Sequence, residues 1–385
     1  MRKEPALSLH TAERRFEETG LRYATLEMGQ DGKLVVLERG GRIFPFIAAD
    51  GGEYRSILWA NPAFGDSQSF EALLKAGEWN LGGERLWIAP EMQYAIKDRK
   101  RLEESYELPK AMDPGSYRLS EESKATAKRS QDYNERNAVL LSASFELHAY
   151  NLASGTKLLE TERRIKAAPN PLRELAAYRA LMEGLSYAGY EHYITLTDLG
   201  SRPDSPSDAW SETWTIMQLH QGGTLTIPLY GSPEYSWYYE PQDPSVFRIS
   251  EAKAELDLAG GIKFKVGFKA PCISGRAGYL MPWIGDADSR CLIVRNFYCN
   301  PSGTYREEPF TREGDRGYPF HVYNADGSFG CFGELECNGQ AVGPTCKPEA
   351  SGTIDESTSF DRMVTWIFTG SLVKVLRVRK VLLGI

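Results

Sequence analysis

Two short stretches hold the residues with the most chemistry to offer. Asn80–Glu91 reads NLGGERLWIAPE and Phe332–Cys337 reads FGELEC. The first delivers Glu84, Arg85 and Trp87 directly after a Gly-Gly turn, with Glu91 at its end. The second sets two carboxylates, Glu334 and Glu336, two positions apart. Arg and Glu side chains form bidentate hydrogen bonds, and an indole face packs on the apolar C–H side of a pyranose ring. Groups of these kinds suit a neutral polyol.

On a strand, residues i and i+2 share a face, so Glu334 and Glu336 point the same way. Burying two carboxylates is costly unless they are paired, hydrogen-bonded or wet. On a cleft, their repulsion raises one pKa toward the range of a general base. On a solvent face they are ordinary surface charges. The flanking Phe332 and Cys337, poor surface residues, favour the cleft.

In the early stretch Leu86, Ile88 and Pro90 alternate with Arg85, Trp87 and Ala89, so Arg85 and Trp87 share a face. They form either a cation–π clamp or the floor of a sugar site. A third cluster, Asp208–Gly223 (DAWSETWTIMQLHQGG), offers Glu212, Trp214 and Gln218 as ligand contacts or as packing ahead of a Gly-Gly turn. His321 precedes an Asp-Gly turn that returns the chain into Phe329–Cys337, a hairpin that brings it near Glu334 and Glu336. A histidine across from a carboxylate is the minimum kit for proton transfer at an anomeric carbon, although a lone strand histidine is also commonly structural. The expected catalytic set is Glu336, Glu334 and His321. The expected substrate contacts are Arg85, Trp87, Glu84, Glu91, Trp214 and Gln218.

Strands must position these groups. Lys33–Glu38 leads through Gly40-Gly41 into Arg42–Ala48, and Val139–Ala149 begins apolar and then alternates as a half-buried strand does. Thr161–Ala167, His192–Asp198, Thr224–Leu229, Gly261–Phe268 and Leu292–Phe297 read similarly, as do Arg362–Phe368 and Leu372–Leu383. Helical signals are confined to Leu9–Glu18 and Ser67–Ala76, while Pro171–Gly184 reads either as helix or as strand. The expectation is a single all-β domain over 1–385, with an N-terminal extension over 1–25 and a polar insertion over 97–135.

Composition narrows the partners. A net charge of −7, with both signs interspersed, argues against nucleic acid and against an anionic membrane surface. No stretch approaches the ~18 apolar residues of a membrane span, and the N-terminus lacks the apolar core of a secretory signal. A natural start at residue 1 implies a cytoplasmic protein, and a removed signal a secreted or periplasmic one. The six cysteines form no CxxC pair, so no metal site is expected and the thiols are expected to be reduced and structural. No P-loop, GxSxG or strand-linked GxGxxG is present, and no cofactor is expected.

Taken in order, GGRIFPF, SILWANP, NLGGERLWIAPE, ERRI, ITLTDLG, WTIMQLHQGGTLTIPL and FGELE resemble the galactose mutarotase-like superfamily, especially its bacterial branches with a GGDRxWxAP-type motif. The resemblance runs from about Gly40 to the C-terminal strands. It implies a β-supersandwich of large antiparallel sheets with a few short helices, and a small-molecule carbohydrate as ligand. It implies aldose 1-epimerase-like chemistry, in which a glutamate matching Glu336 takes the anomeric proton, with Glu334 as the fallback and Arg85 matching the early arginine. The family's histidine lies in an LTNHxYFNL-like segment, whereas this chain has Leu196-Thr-Asp-Leu-Gly200, so His321 or His220 would have to replace it. The same fold also hosts proteins that only bind sugar, and hydrolase or lyase accessory domains.

Overall fold

The structure, a computed structural model, describes residues 6–29, 31–49, 51–121, 137–150, 155–173, 175–199, 210–283, 288–306, 315–343 and 358–385. Among these residues, twenty strands numbered along the chain form two antiparallel ten-stranded sheets. The front sheet contains β1 (Tyr23–Glu27), β2 (Gly32–Leu37), β3 (Arg42–Ala48), β4 (Tyr54–Ser56) and β5 (Glu84–Ala89). It continues with β10 (Glu212–His220), β12 (Tyr235–Tyr239), β15 (Phe264–Phe268), β18 (Phe320–Asn324) and β19 (Phe332–Asn338). Its spatial order is β1-β2-β3-β5-β10-β19-β18-β15-β12, with β4 beside β3.

The back sheet is built from β6 (Arg118–Glu121), β7 (Ala138–His148), β8 (Thr156–Ala167), β9 (Ser186–Asp198) and β11 (Gly223–Pro228). To these it adds β13 (Phe247–Ile249), β14 (Lys253–Leu258), β16 (Arg276–Pro282), β17 (Ser289–Phe297) and β20 (Thr358–Ser371). The order runs β13-β14-β11-β16-β17-β20-β9-β8-β7-β6. The expected all-β supersandwich with a few short helices is therefore the architecture present.

Period-two patterning selects the inner faces. In β7, Leu141, Ala143, Phe145 and Leu147 are buried while Ser142, Ser144 and Glu146 are exposed. One apolar core joins the two sheets, with Leu86 and Ile88 of β5, Leu335 of β19, Ile165 of β8 and Ile293 of β17 among its members.

Among the described residues there are five α-helices: α1 (Leu9–Thr19), α2 (Ser67–Lys75), α3 (Glu91–Tyr94), α4 (Leu102–Ser105) and α5 (Leu372–Leu383). Helix α1 starts where the Ser8 hydroxyl accepts the Thr11 amide and stops at Gly20 in the left-handed conformation. It drops Ala12 and Phe16 onto Val35, Phe44 and Phe46 at one end of the front sheet, together with Phe70 of α2. Full burial of Phe16 contributes about 1.5–3 kcal/mol. The described part of the expected extension, residues 6–25, supplies α1 and the start of edge strand β1.

Leu372–Leu383 corrects the sequence reading, since it is helix α5 and not a strand. Val375, Val378 and Leu382 recur at helical spacing and pack on Leu292, Val294 and Phe368 of the back sheet. That packing outweighs the strand preference of the β-branched residues. Pro171–Gly184 is neither regular helix nor strand: Ala176–Met182 forms a 3₁₀ helix. The polar segment 97–135 supplies α4, β6 and the buried Asp113; its residues 122–135 lie outside the described residues.

Candidate active site

The outer face of β5, β10, β19, β18 and β15 floors a cavity of about 410 Å³. Strand β5 enters it from Gly82 and Gly83, both at positive φ (92° and 73°). A Cβ on Gly82 would lie 2.4 Å from the Trp59 carbonyl oxygen, and one on Gly83 2.7 Å from that of Ile43. Neither position tolerates a side chain. From this turn, alternation sends Arg85 and Trp87 outward to the cavity and Glu84 inward.

Arg85 lies over Trp87, its guanidinium carbon 4.2 Å from the ring centroid, and 5.1 Å from that of Trp79. It donates to Glu334 Oε1 at 2.9 Å, and Gln218 donates to the same oxygen at 3.2 Å. The Trp87 indole N–H donates to Asp113 Oδ2 at 2.9 Å, and its ring meets Trp79 and Trp214 edge-on. Of the early alternatives for Arg85 and Trp87, the cation–π clamp is present, and it lies on the floor of this cavity.

Glu336 occupies the centre. Its register partners are Ile216 on β10 and His321 on β18. Trp214 donates its indole N–H to Glu336 Oε2 at 3.0 Å, and Lys265 of β15 reaches the same oxygen at 3.1 Å. Burial, reinforced by the neighbouring Glu334 and opposed by Lys265, pushes the Glu336 carboxyl up to about 7. It can therefore give or take a proton near neutral pH. Tyr238, Tyr239, Tyr323 and Phe332 complete the aromatic wall, and Glu91 and Tyr106 stand toward one side.

Three expected site residues do not line the cavity. Glu84 faces the back sheet, where Arg295 holds both its carboxylate oxygens at 2.8 and 3.1 Å and His192 Nδ1 lies 3.0 Å away. Burial would raise its pKa, yet Arg295 and His192 hold it well below the usual carboxylate range. The reason is parity: Glu84 is one residue out of step with Arg85. His321 is on the cavity side of its strand but does not line the cavity. Its ring is fully buried, with Nδ1 3.1 Å from Asn338 Oδ1 and Nε2 3.0 Å from the Tyr238 hydroxyl. Burial and the adjacent Lys265 charge push its pKa well below the ordinary histidine value, so the ring is neutral. It is not a charged acid facing a ligand. Gln218 likewise stays behind the wall, bracing Glu334.

Lys265, Tyr238 and Tyr239 were not apparent from the sequence. Lys265 was hidden as a polar residue in the strand Phe264–Phe268, and the aromatic run YSWYYE over 235–240 was the available signal for the tyrosines. Among the described residues, no group of three or more His, Cys, Asp or Glu is placed to hold a metal, and no helix is long and apolar enough to cross a membrane. Cys272, Cys291, Cys299, Cys331 and Cys337 are free thiols, while Cys346 lies outside the described residues.

No family model matches the chain, and no curated protein does. Two solved structures are similar to it over most of their length. One is HI1317, at 9% identity and a TM-score of 0.37, covering 91% of this chain and 93% of that one. The other is a GalM/aldose epimerase homologue from C. elegans, at 9% identity and a TM-score of 0.40, covering 90% and 98%. Likenesses this distant assign no role to any residue.

Proposed function

We propose that the cavity binds a carbohydrate and that Glu336 transfers a proton at its anomeric carbon, as in aldose 1-epimerase chemistry. One observation carries this reading: a buried carboxyl with its pKa near 7 sits at the centre of an aromatic-walled cavity of small-molecule size. Aromatic faces suit the C–H faces of a pyranose, and Glu334, Glu91 and Lys265 supply acceptors and a donor for its hydroxyls. The motif resemblance to mutarotase-like proteins points the same way.

A second reading, a sugar-binding protein without catalysis, is favoured by one feature. Each central carboxylate already has a cation, Arg85 on Glu334 and Lys265 on Glu336. The two share a binding test. Wild type and Tyr239→Ala are titrated with a panel of neutral aldoses by thermal shift. Tyr239 lines the cavity and is 44% exposed, so its loss leaves the fold intact. Stabilisation by one aldose, weakened about tenfold in the variant, is expected from the loss of one stacking face. A panel that stabilises neither protein refutes the carbohydrate reading.

A further inference from the structure

Resting on that reading, we propose that Tyr238 is the second proton-transfer group of the site, working against Glu336, with His321 as the buried positioning residue that accepts the tyrosine's own proton. The backbone aims Tyr238. Strand β12 pairs with β15 as Trp237↔Val266 and Tyr239↔Lys265, leaving Tyr238 as the extra residue of a β-bulge. Trp237 packs inward near Phe264, while Tyr238 and Tyr239 both line the cavity. Without the bulge, strict alternation would send one of these two tyrosines inward.

Behind Tyr238 runs a hydrogen-bonded chain with one consistent polarity. The Glu212 carboxylate accepts the Asn338 Nδ2–H at 3.0 Å and the Arg306 backbone amide at 2.6 Å. Asn338 therefore turns its carbonyl oxygen to His321, and the 3.1 Å contact requires Nδ1 to carry the hydrogen. His321 Nε2 is left bare and accepts the Tyr238 O–H at 3.0 Å. The phenolic hydrogen thus points to His321, with Tyr238 itself at the cavity wall. Gly267 makes room for this arrangement, since a Cβ there would lie 2.9 Å from His321 Cδ2.

In ring opening, the Tyr238 oxygen takes the proton of the anomeric hydroxyl while its own passes to His321 Nε2. The O1–H electron pair becomes the carbonyl of C1, the C1–O5 bond breaks, and O5 takes the proton of the Glu336 carboxyl. One proton enters the site and one leaves it, so its net charge is unchanged. The new Glu336 carboxylate then stands beside the new imidazolium, its register partner. Rotation about C1–C2 and reversal of the same steps gives the other anomer.

The test uses the full chain and saturation-transfer NMR over the aldose panel, with wild type, Tyr238→Phe, Glu336→Gln, His321→Gln and the double variant Y238F/H321Q. Tyr238→Phe keeps the ring and its packing. The expected result is a kcat lowered about 10²–10⁴-fold in Tyr238→Phe, KM changed by less than about threefold, and no further loss in the double variant. Multiplying losses in the double variant would overturn the relay through His321. Wild-type rates in Tyr238→Phe beside an inactive Glu336→Gln overturn the assignment of Tyr238 and leave epimerisation standing. No acceleration by wild type overturns both.

Discussion

His321 and Glu336 are register partners on adjacent strands, yet only Glu336 faces the cavity. Both are fully buried, and their surroundings drive them in opposite senses. Burial pushes the carboxyl up to about 7 and the imidazole well below its usual value, so each is held toward its neutral form. Two neutral groups side by side avoid the desolvation cost of a buried ion pair until a reaction moves a proton.

This relationship makes stability depend on pH. Glu336 has a folded-state pKa above its unfolded value, so its contribution is fully present below the unfolded carboxylate pKa and is lost as pH rises toward about 7. Unfolding free energy measured by urea denaturation at pH 5 and pH 8 should therefore fall more in wild type than in Glu336→Gln. The expected difference is on the order of 2 kcal/mol. Equal slopes in the two proteins mean that Glu336 titrates normally.

Trp214 tunes the same group. Its indole N–H favours the charged carboxylate. Trp214→Phe keeps much of the ring packing and removes the donor, so the Glu336 titration followed by carboxyl ¹³C NMR should move up by about one unit. A downward move would mean that the lost donor is not what sets the value.

The interior pair answers to a different assay. Glu84 and Arg295 join the two sheets with both partners fully buried. Glu84→Gln leaves the guanidinium without its counter-charge and should destabilise the protein by about 3–5 kcal/mol. Chemical denaturation reads this directly. A change in ligand affinity at unaltered stability would contradict the structural role and return Glu84 to the site.

Gly267 should be intolerant of even a methyl group. Alanine there crowds the His321 and Tyr318 rings, each 2.9 Å from the added carbon, at a cost of about 1–3 kcal/mol. Thermal denaturation of Gly267→Ala checks it, and an unchanged melting temperature contradicts the tight packing of His321.

Much of the fold was legible because period-two patterning survives in strands such as β7 and β3, where one face or both must be apolar. The end of the chain was not, since Val375, Val378 and Leu382 satisfy a helical period with residues that favour strands. In the site, alternation put Arg85 and Trp87 on one face of their strand, and Glu334 and Glu336 on one face of theirs. The same rule should have excluded Glu84, one step out of phase. The run YSWYYE signalled the tyrosines, but that Tyr238 and Tyr239 both face the cavity was not legible, because a bulge breaks the alternation that such a reading uses. Lys265 depended on which strands become neighbours, which local pattern does not specify. The Asp-Gly hairpin did bring His321 beside Glu336, and what pattern did not show is that its ring is held behind Tyr238.

The most direct measurement is anomer exchange of the aldose panel by saturation-transfer NMR, with wild type beside Glu336→Gln. The account predicts exchange above the spontaneous rate for at least one aldose, reduced about 10²–10⁴-fold in the variant while binding of that sugar persists. Exchange at the spontaneous rate in both proteins, with one sugar still bound, would contradict catalysis and leave a carbohydrate-binding protein.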